Sequence, residues 1–215
     1  MASDDLDIGH FLRDQLSSKR QAMLPPTIRT AYKAADDLAK DQPILEVPSA
    51  VDNRGRVVAW AVDVAVERLI KTGQWPFDYH WVHFAKPTGR YLQIRFGAAT
   101  MSVSQVERPK KPPRHAVFRG NAAMMNYKFL FPEMEERRRI DGFPAFVLIH
   151  GHQELNFIHI GMSYPRRRKW LYRTPNLLLT PHAIESTEPP IEARDEEAII
   201  SLKEEIAKWR RDNNV

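Results

Sequence analysis

The sequence predicts an α+β fold, in which a mostly antiparallel, mixed sheet of about five strands packs against a long central helix, with further helices at both ends. Three observations predict this fold. Apolar residues recur at helical spacing up to residue 72, they alternate as in strands between residues 79 and 162, and a charged amphipathic segment closes the chain. At 215 residues the chain is long enough for one sizeable core.

Residues 1–48 are predicted to form an N-terminal helical segment. Ile8, Leu12 and Met23 lie at helical spacing until two consecutive prolines end the run at residues 25 and 26. A second helix begins near those prolines and carries Ile28 and Leu38 on one face. Further prolines at residues 43 and 48 mark a connector to the next segment.

Residues 49–184 are predicted to form the α+β core, which opens with a long helix over residues 52–72. Val58 and Leu69 belong to its apolar stripe, which is wide enough for a central helix that packs on a sheet. Gly73 suits the left-handed residue that commonly follows a helix.

Five strands are predicted in this core. Residues 79–84, 90–96 and 101–106 alternate in the strand manner and form a meander with turn residues between the first two strands. Residues 145–149 and 155–162 form a second hairpin. Consecutive antiparallel pairing then accounts for most of the sheet.

Short elements complete the predicted order. A strand at His115 to Phe118 and a helix near Asn121 to Phe129 follow the meander, and Pro132 opens another short helix. Residues 185–215 are predicted to be an acidic segment whose helix, from about Asp195 to Arg211, docks on the core through one apolar face.

Composition restricts both chemistry and location. No cysteine is present, which excludes disulfides, thiol nucleophiles and cysteine-ligated metals. The beginning of the chain, MASDDLDIGHF, is acidic and lacks the apolar run of a signal peptide, and the apolar stretch at residues 57–66 is far too short to cross a bilayer. We therefore expect a cytoplasmic protein with no membrane partner.

Positive charge is concentrated in the middle of the chain. Residues 79–184 carry 17 lysines and arginines against six acidic residues, a net charge of +11, whereas residues 1–78 and 185–215 carry −2 and −4. A basic middle between acidic ends is typical of a protein that binds a polyanion on one face. A solvated basic surface without a partner is the alternative interpretation.

Two stretches of this basic middle, residues 108–132 and 155–183, contain no acidic residue. Cations neutralise phosphates without reading sequence, and interleaved aromatic rings stack on unpaired bases. The sequence therefore predicts a site for nucleic acid or another polyanion with Trp170 as a stacking platform and with the cations Lys110, Lys111, Arg114, Arg166, Arg167, Arg168 and Lys169. In the alternative interpretation, Trp170 and Tyr172 begin a strand and sit in the core.

A histidine cluster supports a different hypothesis. If the turn of the second hairpin falls at residues 153–154, Leu148 faces His159, and His150, His152 and His159 then share one face of the sheet. Imidazoles in that arrangement could hold zinc or another divalent metal, or act as general acid or base. A shift of one residue in the register would move His159 to the opposite face.

The order of a long helix, three strands, a helix and a strand, over about residues 52–162, resembles the core of PD-(D/E)xK nucleases. In that family, carboxylates on the second and third core strands hold Mg²⁺. Here the strands at residues 90–96 and 101–106 have no carboxylate, and Asp63 and Glu67 lie on the long helix instead. The resemblance therefore implies an inactive relative or a binding protein that kept the shape. Glycine-rich nucleotide loops and nucleophile elbows are missing from the sequence.

These observations together predict a nucleic-acid-binding protein without catalysis. A hydrolase that uses a divalent metal on His150, His152 and His159 is the first alternative. A scaffold protein, a homo-oligomer with its acidic C-terminal helix at an interface, is the second. Apart from that metal, the sequence predicts no cofactor.

Overall fold

The computed structural model describes residues 7–45, 47–51, 53–84, 89–130, 142–180 and 192–212. Its helices lie mainly before and after the sheet, and a short 3-10 helix covers Pro43–Leu45. In chain order the α-helices are α1 (Ile8–Gln15), α2 (Ser18–Gln21), α3 (Leu24–Lys40), α4 (Pro48–Val51), α5 (Arg54–Lys71), α6 (Val117–Met124), α7 (Tyr127–Leu130) and α8 (Glu192–Asp212).

Six strands form one mixed sheet, and their order across the sheet is their order in the chain. The strands are β1 (Asp78–His83), β2 (Arg90–Phe96), β3 (Ala99–Gln105), β4 (Ala145–His150), β5 (Ile158–Ser163) and β6 (Trp170–Arg173). Neighbours are antiparallel except β3 and β4, which run parallel. A parallel pair needs a long crossover, and the segment that contains α6 and α7 supplies it.

One face of the sheet, called the helix-covered face below, packs against α1, α3, α5 and α8. Alternate residues of the strands point into this core, and Leu92, Ile94, Phe146, Leu148 and Ile160 are each exposed by 1% or less. The helices α3 and α5 lie side by side, and α8 packs on both. Burial of this alternating apolar set explains why these residues form strands.

The opposite face, called the second face below, is partly covered by α6 and carries more polar residues, such as Gln93 and Ser102. The fully buried Asn126 ties the α6–α7 segment to the sheet. Its side-chain oxygen accepts from the Ala145 backbone N–H at 2.8 Å, and its nitrogen donates to the carbonyl oxygens of Ala145 and Ser163. These contacts hold α6 beside the end of β5, where the hairpin between β5 and β6 begins.

The predicted fold class is confirmed, with six strands instead of about five. The additional strand is β6, which pairs with β5. The strand predicted at residues 115–118 is wrong, because the chain enters α6 at Val117. In α6, Phe118 stacks on Tyr91 of β2, with 4.1 Å between the ring centroids. The apolar residues that suggested a strand therefore belong to a helix that covers part of the second face.

Among the described residues, the structure has helices where the sequence predicts them, but several of them begin or end at other residues. The long central helix is α5, and Gly73 follows it with a φ of 74°, the left-handed conformation that glycine tolerates best. The first predicted helix is divided into α1 and α2, because Leu16 after α1 is extended. The short helix predicted from Pro132 lies outside the described residues. Within the described part of the chain, no helix is both long and apolar enough to cross a membrane.

Candidate nucleic-acid interface

The two acid-free stretches of the sequence lie side by side in the structure. Residues of the loop before α6 and of the hairpin between β5 and β6 line one open cavity of about 620 Å³, called the basic cleft below. Among the described residues that line it there is no aspartate or glutamate. Its basic side chains are Arg114, His115, Arg119, Arg166, Arg167 and Arg168.

Hydrogen bonds fix the loop before α6 against the strand and hairpin opposite. Trp170 Nε1 donates to the Pro109 carbonyl oxygen at 2.9 Å, and the Arg173 guanidinium donates to the same oxygen. Arg168 Nε donates to the Pro112 carbonyl oxygen at 3.1 Å. Proline fixes the backbone φ of this loop, so few further contacts are needed to order it. The two walls of the basic cleft therefore hold each other in place.

Arg119 on α6 forms hydrogen bonds with the loop before α6 and with β3. Its Nε and Nη2 donate to the Arg114 carbonyl oxygen at 3.2 and 2.8 Å, and Nη1 donates to Ser104 Oγ at 3.4 Å. Its guanidinium also lies 4.8 Å from the centroid of the Phe118 ring. Burial lowers the pKa of Arg119, but a guanidinium stays protonated in proteins. Arg119 therefore adds fixed positive charge and sets the loop backbone at Arg114.

The opposite wall is the tip of the β5–β6 hairpin. The Tyr164 backbone N–H donates to the Lys169 carbonyl oxygen at 2.8 Å and closes the hairpin loop. Arg166, Arg167 and Arg168 are exposed beyond this closure. Among the described residues, Arg166 is the one non-glycine residue with a positive φ, at 58°. The turn thus projects three consecutive guanidinium groups towards solvent and the cavity.

The structure brings four of the eight residues predicted for the nucleic-acid site together in the cavity wall, namely Arg114, Arg166, Arg167 and Arg168. Lys110 and Lys111 are exposed just before the buried Pro112, at the margin of the cavity. Lys169 is exposed, and its Nζ lies 5.9 Å from the centroid of the Tyr164 ring. Four of the predicted cations therefore line the cavity, and the three lysines are exposed beside them in the sequence.

Trp170 begins β6, as the alternative interpretation predicts, but it is half-buried and not fully in the core. Its ring packs against the small apolar cluster of Val147, Ile149 and Phe157. A Cβ on Gly161 would lie 2.6 Å from this ring, so glycine is required for the close approach. The indole N–H is already bonded to the loop. Trp170 supports the wall of the basic cleft, and its role as a stacking platform stays a prediction.

Sequence reasoning missed three uncharged or weakly charged residues of the wall. His115 lies in the loop, Asn121 on α6 and Tyr164 at the end of β5. A search for cations passes over Asn121 and Tyr164, and a predicted strand at residues 115–118 hides His115. The available sequence signal is the pair of prolines at residues 112 and 113, because proline fixes the backbone φ and stiffens the loop.

The three histidines predicted to hold a metal do not share a face. β4 and β5 pair Ile149 with His159 and His150 with Ile158, which is one residue away from the predicted register. The predicted register is wrong, because the connection between the strands spans residues 151–157 and is not a two-residue turn. His159 consequently lies on the second face, and His150 lies on the helix-covered face.

The surroundings of His159 and His152 are consistent with this separation. His159 Nδ1 lies 2.8 Å from the Thr174 carbonyl oxygen, and burial lowers the pKa of His159. His152 is exposed in the connection after β4. In the part of the chain that the structure describes, no group of three histidine, aspartate or glutamate side chains is placed to hold a metal ion.

His150 forms a buried polar contact within the helix-covered core. Its Nδ1 lies 2.8 Å from the Tyr32 hydroxyl oxygen, and that hydroxyl donates to the Gly151 carbonyl oxygen. Because the hydroxyl has one proton, these bonds assign the ring proton to Nδ1. His150 Nε2 is buried without a hydrogen-bond partner. Burial lowers the pKa of His150 to about 4, so its ring is neutral at pH 7.

Asp63 and Glu67 lie one turn apart on α5, away from the basic cleft. Burial and then the charge of Glu67 raise the pKa of Asp63 to about 8. Glu67 Oε1 accepts from Lys71 Nζ at 3.0 Å. Neither β2 nor β3 carries a carboxylate, so the described strands lack the Mg²⁺ ligands that the nuclease resemblance implies.

Comparisons of the chain with protein-family models, with curated proteins and with solved structures found no match. The resemblance to PD-(D/E)xK nucleases stays a likeness in the order of elements. The geometry and charge of the basic cleft are therefore the basis of the function proposed below.

Proposed function

We propose that the protein binds nucleic acid through the basic cleft, without catalysing a reaction on it. The observation that carries this proposal is the meeting of two acid-free stretches at one cavity with cationic walls. The two stretches, residues 108–132 and 155–183, are separated in the sequence, and the fold brings them together. Contacts between cations and the phosphate backbone supply most of the affinity of proteins for nucleic acid.

The type of cation supports a phosphate ligand. Three consecutive arginines form the exposed hairpin tip, and the guanidinium group can bind two phosphate oxygens at once. Lys110, Lys111 and Arg114 are exposed on the opposing loop, which prolines and hydrogen bonds hold in position. A wall that is ordered before binding loses little conformational entropy when the ligand arrives.

The charge of the whole chain supports an oriented approach. Residues 79–184, which include every residue that lines the basic cleft, carry a net charge of +11, and residues 1–78 and 185–215 carry −2 and −4. A polyanion is therefore attracted to the middle segment of the chain more than to the two end segments. Such steering weakens with ionic strength, because counterions screen it.

The proposal predicts affinity for oligonucleotides that falls steeply with salt. Fluorescence anisotropy of a labelled oligonucleotide, measured at several potassium chloride concentrations, gives the slope of log K against log salt. Each phosphate contact contributes about 0.7 to 0.9 to the magnitude of that slope. The double variant Arg166→Gln/Arg167→Gln is expected to weaken binding at least about tenfold and to reduce the slope by about 1 to 2.

A matched control removes the same charge from the other side of the sheet. Arg29 and Lys33 are exposed one turn apart on α3, so Arg29→Gln/Lys33→Gln lowers the net charge by the same amount. This control is expected to keep the affinity within about threefold, since distant charges are screened. Equal losses in the two double variants, or binding that does not respond to salt, would contradict a site at the basic cleft.

A further inference from the structure

The basic cleft is a cavity, and phosphate binding alone does not need one. Its volume of about 620 Å³ falls within the range of sites that enclose small organic ligands. A flat basic surface suffices for the backbone of a duplex, because the phosphates lie on the outside of the helix. The cavity therefore offers room for a ligand group that enters it.

Most of the surface that lines the cleft is apolar. Its apolar residues include Pro112, Pro113, Val117, Ala123, Met124 and Val147. Val117 opens α6, lines the cleft and is 71% exposed. Apolar surface of this kind is covered favourably by a planar aromatic ring, which a nucleobase provides.

The polar groups that line the cleft match the polar parts of a nucleotide. The guanidinium groups of Arg166 and Arg167 lie on one wall and that of Arg114 on the other, where they can bind phosphates on either side of a base. His115 and Tyr164 offer rings for stacking, and the exposed Asn121 offers an amide for hydrogen bonds to a base edge.

The cavity is already formed in the protein alone. Trp170 and Arg168 hold the loop backbone from one side, and Arg119 holds it from the other. The fully buried Asn126 fixes the α6–α7 segment to the strands beneath it. A rigid cavity selects ligands that present a free base, because it does not close around a stacked duplex.

We infer that the basic cleft is selective for single-stranded nucleic acid and takes an unpaired base into its cavity. This inference rests on the proposed function and names the ligand class of the same site. In a duplex the bases are stacked and paired, so insertion would first require unpairing, which costs free energy. In a single strand the bases are free, and the phosphates on both sides still reach the arginines.

The test compares probes that carry the same number of phosphates. Anisotropy competition uses a single strand of roughly 12 nucleotides, a hairpin duplex, an abasic sugar-phosphate strand and inorganic polyphosphate. The single strand is expected to compete about tenfold or more better than the abasic strand and the duplex, given the usual contribution of base stacking.

A pair of variants locates the effect. Val117→Gln removes the exposed apolar side chain of the cleft without changing charge, and Ile200→Gln makes a similar change at a 57% exposed position on α8. Val117→Gln is expected to lower the ratio of single-strand to abasic affinity by about threefold or more. Ile200→Gln is expected to leave that ratio unchanged.

The outcomes separate the two proposals. If all four probes compete equally and depend on salt, a polyanion site remains but selection of an unpaired base is overturned. If no probe binds with salt dependence, the proposed function itself fails and the inference falls with it. A preference for the single strand that both variants retain would overturn the placement of the base in this cavity.

Discussion

The two faces of the sheet differ in what their side chains contact. On the helix-covered face, Leu148 and Ile160 are fully buried among helices, and the apolar core continues without interruption from α1 to α8. On the second face, α6 covers only part of the strands, and the basic cleft remains open beside it. One face is thus completed within the chain, and the other presents like charges to solvent.

The positive charges of the basic cleft do not contribute to the stability of the fold in an evident way. Arginines that lie close together repel one another, and the structure places no acidic side chain among the described residues that line the cleft. The turn also keeps Arg166 at a φ of 58°, which is unfavourable for a residue with a side chain. Under the proposed function, a bound polyanion would relieve this repulsion.

The largest expected effect comes from truncating the helix-covered face. Leu148→Ala is expected to lower the free energy of unfolding by about 2 to 5 kcal/mol, because Leu148 is fully buried and its loss leaves a cavity. Val117→Ala on the second face should change it by less than about 0.5 kcal/mol, since that side chain is mostly exposed. Urea denaturation measures both, and comparable losses would show that the faces do not differ in this way.

The next effect is a dependence of stability on pH that originates in the helix-covered core. His150 has an unfolded pKa near 6.5 and a folded pKa of about 4, so the unfolded state binds more protons between these values. Its contribution is complete above pH 6.5 and is lost as the pH falls through 4. The total is on the order of 3 kcal/mol. Denaturation at pH 7 and pH 4.5, compared between the parent protein and a variant without this imidazole, measures the loss.

Two variants assign this pH dependence to His150. His150→Gln keeps an amide near Tyr32 and is expected to lose less stability than the parent protein between pH 6.5 and 4.5. The exposed His152→Gln is the control and should keep the pH dependence of the parent protein. Burial also lowers the pKa of His159 and raises the pKa of Asp63 to about 8, and these two groups act in opposite directions over the same pH range. The contribution of His150 is therefore the difference between the parent protein and His150→Gln. A pH dependence that is identical in all three proteins would contradict the buried position of His150.

The sequence predicted the helix-covered face well because that face follows simple periodicity. Residues 92, 94 and 96 alternate towards the core, and the stripe on α5 repeats at helical spacing. What it could not predict is strand register. Residues 145–162 suit either register by hydrophobicity, and the pairing of Ile149 with His159 follows from the length of the connection and from packing. The metal hypothesis depended on that register.

The candidate site could be predicted in its charge but not in its shape. The absence of acidic residues in two stretches identified the arginines that meet at the cleft. Their approach depends on hydrogen bonds such as that from Arg168 to the Pro112 carbonyl oxygen, 56 residues apart in the chain. Contacts of that separation have no local signature in a sequence. The cavity and its apolar floor were therefore visible only in three dimensions.

A smaller effect distinguishes Trp170, which contacts the loop of the cleft, from Trp75, which is buried under the helices. Trp170→Phe removes the donor to the Pro109 carbonyl oxygen and is expected to cost about 1 kcal/mol of stability and to weaken oligonucleotide binding. Trp75→Phe removes an indole donor to the Arg20 carbonyl oxygen under the helices. That variant should cost at least as much stability and leave binding unchanged. If Trp170→Phe and Trp75→Phe changed oligonucleotide binding equally, the hydrogen bond from Trp170 to the Pro109 carbonyl oxygen would not be needed for binding.

The smallest expected effect concerns the hairpin tip, where two adjacent arginines differ in backbone conformation. Arg166→Gly relieves a left-handed conformation and should raise the free energy of unfolding by about 0.5 kcal/mol, after the larger entropy of glycine in the unfolded chain is subtracted. Arg167→Gly relieves nothing and should lower it by about 0.5 to 1 kcal/mol. Both variants remove one cation, so each should weaken binding and reduce the salt slope by a similar amount.

Thermal denaturation and salt-dependent anisotropy of the same two variants separate backbone strain from charge. Of these two arginines only Arg166 has the strained backbone, whereas both carry the charge. A gain in stability without a loss of affinity in Arg166→Gly would show that this guanidinium is not used for binding and that the turn alone fixes its conformation.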